Sequence, residues 1–361
     1  MSDDIEPVVS IVVPTYNERE NLPRLLEEID RVLRSRGINY EVVVVDDDSP
    51  DGTWRVAEEY AERGLPVRVV RRRGERGLGS AIVRGLRVAR GRYIVVMDAD
   101  LQHPPEAIPR LLEEARRSGA HLVVATRYGR GGGVEGWSRF RLLVSRVASL
   151  LAYLLLPEAR ATSDPMSGFF LATRELAEKA PENPRSWKIL LDLIVEAQGR
   201  VSEVPYVFRR RAAGESKLGP REMLDYVLHL LELSGYRPLK FAVVGATGTL
   251  INLAVLRLLH GALGVPLPIS FLAAFEASLT WNYLLHDAWT FRGTRPPGVF
   301  NKLRYWLRYH TAALGGLAAY MSVGMLLTTL GLDYMLAGLV GITTGFLANY
   351  TLSLYKVWNS R

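Results

Sequence analysis

Asp98 and Asp100 stand one residue apart in YIVVMDADLQHPPE (93–106), directly after five apolar or aromatic residues. That run is β-rich and too short for a helix, and the prolines behind it open a new element. Strand alternation puts both carboxylates on one side, away from Ala99. Two like charges that close repel each other, so a cation is expected beside them. A D-x-D pair at a strand end can hold Mg²⁺ or Mn²⁺ against a diphosphate, since these ions take hard oxygen ligands and keep positions open for phosphate oxygens. Gln102 can add a carbonyl oxygen. His103, a turn histidine beside two prolines, is expected to be solvated. The competing reading is an acidic turn ahead of a helix at Pro104 and Pro105, where negative charge favours the helix N-terminus.

Several other chemistries are missing. There is no G-x-x-x-x-G-K-[ST] and hence no P-loop, and no Ser/His/Asp arrangement is legible. Cysteine is absent, which removes a disulfide framework and any Cys-based metal site.

The elements that must position the aspartates are legible around them. Residues 8–126 alternate apolar strands (VVSIVVPTY, YEVVVVD, PVRVV, YIVVMDAD, HLVVATR) with amphipathic helices (NLPRLLEEIDRVLRS, TWRVAEEYAER, SAIVRGLRVA, PEAIPRLLEEARRS). Near-continuous Val/Ile runs imply strands covered on both faces, hence an α/β fold with a mainly parallel sheet. Ligands of such sheets lie beyond the carboxyl ends of the strands, where PTYNE, DDDSPDG, DADLQH and TRYGRGG all fall.

The chain changes character after Gly235. Residues 239–259, 267–285, 311–331 and 335–355 are apolar stretches of about twenty residues, the length that crosses a hydrocarbon core of roughly 30 Å. The net charge of +7 sits entirely in this third, which from Arg237 onward carries ten Lys/Arg against three acids. That placement argues against nucleic-acid binding and for a lipid bilayer as partner. Residues 286–310 hold Arg292, Arg295, Lys302, Arg304 and Arg308, while the connections 260–266 and 332–334 have no Lys or Arg. The positive-inside rule therefore predicts a multi-pass membrane protein with both ends and the N-terminal half cytoplasmic. The acidic start MSDDIEPVVS lacks the apolar region of a cleaved signal peptide. REMLDYVLHLLELSG sets Leu224, Val227, Leu228 and Leu231 against Glu222, Asp225, His229 and Glu232, and FRLLVSRVASLLAYLLL (140–156) is more apolar still. Either can pack on a core or lie along the bilayer surface.

PTYNERENLP, VVDDDSPDGT, RGLGSA, MDADLQHPPE, TRYGRGGGVEGW, WSRFRLLVSR and RAAGESKLG, in that order, resemble the dolichyl-phosphate mannose synthases, inverting family-2 glycosyltransferases of GT-A fold. LKFAVVGATGTLINL, WNYLLHDAWTF and NYTLSLYKVW resemble the four-helix GtrA-like membrane domain. The resemblance implies a GT-A catalytic domain over 1–220, an amphipathic interface helix or linker over 221–236, and an all-α four-helix transmembrane domain over 237–361. It implies transfer of mannose from GDP-mannose to a dolichyl or polyprenyl phosphate, with Mg²⁺ or Mn²⁺ as cofactor. Carried over by position, the donor site falls on Pro14, Tyr16, Glu18, Val45, Asp47, Asp98, Ala99, Asp100, Gln102, Arg127, Arg211 and Lys217. Asp98, Asp100 and Gln102 are the expected metal ligands. Asp100, Arg127 and Arg211 carry catalysis. Arg141, Ser145 and Arg146 face the acceptor phosphate, and Arg209 and Arg210 read as ordinary surface charges. Arginine suits such contacts because its fork binds phosphate bidentately.

The nearest rival within this fold is a polyprenyl-phosphate glucosyltransferase using UDP-glucose. A different class, glycolipid translocation by the membrane domain, is raised by Asn252, Glu276, Asn282 and Asn349 in or near the spans, though these can equally be interhelical contacts.

Overall fold

The computed structural model describes residues 7–210, 219–294 and 296–358. Arg211 and Lys217 lie outside them. The chain divides after Leu233 into two compact units.

In the first unit, β1 (Val9–Thr15), α1 (Leu22–Arg34), β2 (Tyr40–Asp46), α2 (Thr53–Glu62), β3 (Val67–Arg71), α3 (Leu78–Val88) and β4 (Tyr93–Val96) follow the predicted alternation. Then come α4 (Ile108–Ser118), β5 (Leu122–Thr126), β6 (Gly133–Val134), α5 (Arg139–Leu155), β7 (Phe170–Thr173), α6 (Arg174–Ala177), α7 (Ile189–Glu196), β8 (Val201–Pro205), β9 (Val207–Phe208) and α8 (Pro220–Leu233). The main sheet runs β3-β2-β1-β4-β7-β5-β8. Every pairing in it is parallel except those of β7, which lies antiparallel between β4 and β5. β6 and β9 form a separate two-stranded ribbon.

Strand alternation builds two cores. Val9, Ile11, Val13, Val42, Val44 and Val95 pack against α1, α2 and α4. Val12, Val43, Val45, Ile94 and Val96 pack against α3, α5, α7 and α8 on the other face. Both faces are covered, which is why the strands read as unbroken apolar runs. Gly85 allows α3 to lie this close, since a Cβ there would sit 2.2 Å from Val12 Cγ1.

Helix α8 differs from its sequence reading. Its buried face is Tyr226, His229 and Leu230, whereas Met223 and Leu224 are exposed. His229, expected on the polar face, is buried and bonds Ser186 Oγ through Nδ1 and Asp192 Oδ1 through Nε2, each at 3.1 Å. A buried polar partner on α7 makes a histidine a core residue, which hydrophobic periodicity cannot register. Helix α5 is capped by Ser138, whose Oγ accepts from Arg141 N. It exposes Phe140, Leu143, Val147 and Leu150, an apolar stripe at helical spacing.

The second unit is helical: α9 (Arg237–Leu256), α10 (Leu267–Leu285), α11 (Val299–Thr329) and α12 (Tyr334–Leu352). Among the described residues two helices, Arg237–Ala262 and Val299–Thr329, are long and apolar enough to cross a membrane. Only 22% and 24% of their apolar stretches are buried, far less than a soluble core helix requires. The other two have 19 residues each, about 28 Å of helix. Helix α11 starts well before the expected span at 311, because nothing after Gly298 breaks it, so Lys302, Arg304 and Arg308 ride on its first turns. The polar residues of the spans join helices. Tyr320 Oη donates to buried Asn252 Oδ1 at 2.8 Å, and His310 Nε2 lies 2.8 Å from Glu276 Oε1. The amides of Asn282 and Asn349 lie against Gly248 and Gly316, where a Cβ would be within 2.1 and 2.4 Å of them.

Candidate active site

The carboxyl ends of β1, β2, β4 and β5 form one rim. Asn17, Asp48 and Leu101 take left-handed backbone conformations just beyond β1, β2 and β4. Such strain, about 1–3 kcal/mol per residue in unfavourable cases, collects at functional sites, although Asn and Asp tolerate it better than Leu.

At the first two strand ends Pro14 and Val45 are buried register partners. Tyr16 is half-buried, with the Arg76 guanidinium 5.2 Å from its ring centroid. Glu18 accepts from Asn21 Nδ2 at 2.7 Å, and its N–H donates to Thr53 Oγ1. Asp47 is buried, accepting from Arg72 Nε at 2.7 Å and from the Gly77 N–H at 2.8 Å. Arg72 in turn donates to Gly77 O and Ser80 Oγ, so the RGLGSA segment is tied to the end of β2.

Beyond β4, Asp100 is buried and accepts from the Gln102 N–H through Oδ1, while the Asp98 side chain is partly exposed. Ala99 between them is buried. Gln102 Nε2 donates to Arg209 O and Gln102 O accepts from Arg209 N, which pins this turn to the end of β9. The Arg209 side chain reaches Glu106 on the surface.

His103 corrects the sequence reading: it is fully buried rather than solvated. Its Nδ1 accepts from the Asp98 N–H at 3.0 Å, and its ring stacks on Phe169 at 5.1 Å. Burial pushes its pKa down to about 4, against a smaller opposing pull from Asp100. It is therefore neutral at pH 7, with its proton on Nε2. Gly168 lies beside both His103 and Asp98: a Cβ there would make ordinary contact with His103 Cε1 at 3.4 Å and with Asp98 Oδ2 at 3.5 Å.

Arg127 follows β5 and is gripped by Asp164. Its Nε and Nη2 donate to the two carboxylate oxygens, each at 2.7 Å, and both residues are buried. Burial works against this charge, but the hydrogen bonds and charge of Asp164 outweigh it and hold the guanidinium above its ordinary pKa. Lys188, also buried, donates Nζ to Met166 O at 2.5 Å. Burial first, then the Arg127 charge, lowers its pKa to about 7 against the pull of Asp164 and Asp98.

An aromatic wall joins the acidic and basic parts. His103 meets Phe208 at 5.4 Å, and Phe208 meets Trp137 at 5.5 Å. Trp137 has the Arg127 guanidinium 5.1 Å and the Arg141 guanidinium 4.4 Å from its ring centroid. Ser145 Oγ lies 3.0 Å from Tyr128 Oη, next to Arg127. Arg146 is exposed on α5.

Among the described residues no three His, Asp or Glu side chains could by themselves hold a metal. Asp98 and Asp100 instead offer part of a hard-oxygen shell, partly open to solvent, which fits an Mg²⁺ or Mn²⁺ ion shared with a diphosphate. Sequence reasoning missed Asp164, Lys188 and the aromatic wall. The polar run SDPMSG ahead of apolar FFLAT was a usable signal for Asp164, whereas Lys188 carries none.

Residues 10–183 match glycosyl transferase family 2, and residues 240–358 match the GtrA/DPMS transmembrane domain. A dolichol-phosphate mannosyltransferase of Pyrococcus furiosus is 42% identical over 356 residues, 97% of this chain and 99% of that one. Another, from Mycosarcoma maydis, is 39% identical over 262 residues, 70% of this chain and 86% of its own. Among solved structures, glucosyl-3-phosphoglycerate synthase of Mycobacterium tuberculosis, crystallised with Mn²⁺, UDP and glucosyl-3-phosphoglycerate, superposes with a TM-score of 0.47 at 22% identity, covering 63% of this chain and 80% of that one. With identity this high over nearly the whole length of a relative, and a transmembrane family in the second unit, the chain is a membrane-bound glycosyltransferase and belongs to the dolichol-phosphate mannosyltransferase family.

Proposed function

We propose that the chain transfers mannose from GDP-mannose to a dolichyl or polyprenyl phosphate, with inversion, at the cytoplasmic face of the membrane. The observation that carries this reading is the aromatic wall linking Asp98, at the head of the D-x-D pair, to the guanidinium groups of Arg127 and Arg141. An acidic half-shell suits a metal-bound diphosphate, and the basic pair beside it suits a second phosphate.

Pro14, Tyr16, Glu18, Val45 and Asp47 then bound the nucleoside, and Asp98, Asp100 and Gln102 hold Mg²⁺ or Mn²⁺. The bound cation would offset the charge of the departing diphosphate. Arg127 adds positive charge from a position fixed by Asp164. Arg211 and Lys217 are assigned to the same donor by family position. Arg141, Ser145 and Arg146 hold the acceptor phosphate. Its second pKa is near ~6, so at neutral pH an ionised oxygen can form the bond to the anomeric carbon without a protein base. The bond from that carbon to the diphosphate breaks on the opposite face, and GDP carries away the electron pair. What the chain supplies is positioning and charge neutralisation.

A panel of GDP-mannose and UDP-glucose, assayed with lipid phosphate and Mg²⁺, Mn²⁺ or chelator, tests this reading. Mannose transfer that needs the metal and falls by orders of magnitude in Asp100→Asn is expected. Near wild-type turnover by Asp100→Asn at saturating Mg²⁺ would refute the metal assignment, and preference for UDP-glucose would refute the donor.

A further inference from the structure

The two helical hairpins of the second unit repeat one another. In α9–α10 the amide of Asn282 lies on Gly248, and in α11–α12 that of Asn349 lies on Gly316. Tyrosine follows each asparagine, and each hairpin ends in a wide turn, His286–Thr290 and Ser353–Trp358. Lys240 and Arg308 stand equally far before the two glycines.

Two of the differences between the hairpins bear on the space between their helices. Just before the glycine the first has Thr247, whose Oγ1 accepts from Trp281 Nε1 at 3.0 Å, so an indole closes the groove between its helices. The second has Gly315, which is exposed and whose Cβ direction meets nothing within 4 Å. Where the first hairpin has Trp289, the second has Lys356. The result is a cleft of about 410 Å³ lined by Arg308, Thr311, Ala312, Gly315, Leu352 and Lys356.

The cleft asks for an anion. Among the described residues no carboxylate pairs with Arg308 or Lys356. Glu276 meets His310, and Asp333 caps α12 through the Met335 and Leu336 N–H groups. Arg308, its guanidinium 5.5 Å from the Tyr305 ring centroid, and Lys356 are two cations with no carboxylate partner among the described residues, beside an apolar floor of Ala312, Gly315 and Leu352. They sit at the end of the unit that carries its basic connection, where basic pockets between membrane helices take lipid headgroups. An exposed glycine inside a helix forgoes the stability of any residue with a Cβ, so the open space is kept at a cost.

We propose that the second hairpin carries a binding cleft for the phosphodiester headgroup of an anionic membrane lipid. The cations hold the phosphate, and the acyl chain starts down the groove at Gly315. This cleft uses none of the residues assigned to donor or acceptor, so it stands or falls independently of the proposed reaction.

The test is titration of the full chain in detergent with phosphatidylglycerol, phosphatidylcholine, phosphatidic acid and inorganic phosphate, read by native mass spectrometry and thermal shift. Phosphatidylglycerol should bind one per chain and raise Tm, and phosphatidylcholine should not. Arg308→Gln with Lys356→Gln should weaken that binding about thirtyfold, from two lost phosphate contacts. Gly315→Leu, which fills the cleft and improves helix propensity, should abolish it with lipid-free Tm unchanged or raised. Lys302→Gln with Arg304→Gln removes two exposed charges outside the cleft and should cost roughly threefold or less. Equal losses in the two double variants, or undiminished binding by Gly315→Leu, would overturn the site. Preference for phosphatidic acid, or protection by inorganic phosphate alone, would overturn the phosphodiester assignment.

Discussion

The guanidinium of Arg127 meets the carboxylate of Asp164 edge to edge through two hydrogen bonds of 2.7 Å, inside a site that leaves both residues buried. Nε and Nη2 each give one hydrogen to this contact, so the outer edge of the fork is the part that can face a ligand. Breaking a buried pair from one side strands a charge, which typically costs about 3–5 kcal/mol. Asp164→Asn should therefore destabilise the first unit by that order. Arg127→Met combined with Asp164→Asn should recover much of the loss. Thermal unfolding of the two single variants and the double variant checks this, and strictly additive losses would contradict it.

His103 anchors Asp98 through the Asp98 N–H. His103→Leu removes the acceptor and should cost about 1–3 kcal/mol for the unpaired N–H. It should also weaken metal-dependent stabilisation by freeing Asp98. The pH sign follows from a folded pKa of about 4 against an ordinary 6.5. The unfolded chain binds the proton first, so this contribution is whole above pH 6.5 and is lost as pH falls towards 4. Without added metal, wild-type Tm should drop more than that of His103→Leu between pH 6.5 and 4.5 (both limits approximate).

Lys188 gives the same sign in another window. Its folded pKa is about 7 against 10.5, so the unfolded chain holds the extra proton between those values. Stability from this site rises with pH across the window, by at most about 1.4 kcal/mol per unit, and is lost as pH falls through it. Lys188→Met should flatten the rise in Tm from about pH 7 to 10. An unchanged pH profile would show that the buried amine does not titrate there.

Helix α5 is expected to separate two functions. Arg141→Ala should weaken use of lipid phosphate while sparing nucleotide-sugar affinity, with a loss of about 1.5–3 kcal/mol for a charge-assisted contact. Leu143→Gln with Val147→Gln, on the exposed stripe, should reduce use of long-chain lipid phosphate far more than of a short water-soluble analogue. Calorimetry and kinetics with both acceptors distinguish the outcomes. Collapse of GDP-mannose binding in Arg141→Ala would move that residue to the donor site.

Topology can be read directly because the chain has no cysteine. A membrane-impermeant thiol reagent should label Asn301→Cys in inverted vesicles and leave it unlabelled in intact cells. Labelling in intact cells would contradict a cytoplasmic 286–310 connection.

What the sequence determined by itself is whatever depends on local pattern. The five strands and four helices of residues 8–126, their carboxyl-end rim with Asp98 and Asp100, and the apolar helices of the second unit all carry their own periodicity. Tertiary structure alone decided what depends on partners distant in the chain. Strand β7 lies antiparallel between β4 and β5, a pairing that four residues of FLAT cannot announce. His103 is buried because Phe169, Tyr206 and Phe208 close over it, although its neighbours in sequence read as an exposed turn. His229 turns inward because Ser186 and Asp192 wait on another element. Arg127 owes its fixed position to Asp164, and Lys188 its lowered pKa to burial beside Arg127. Hydrophobic periodicity reports which way a side chain faces, but the charge state and orientation of a buried polar group are set by what folds against it.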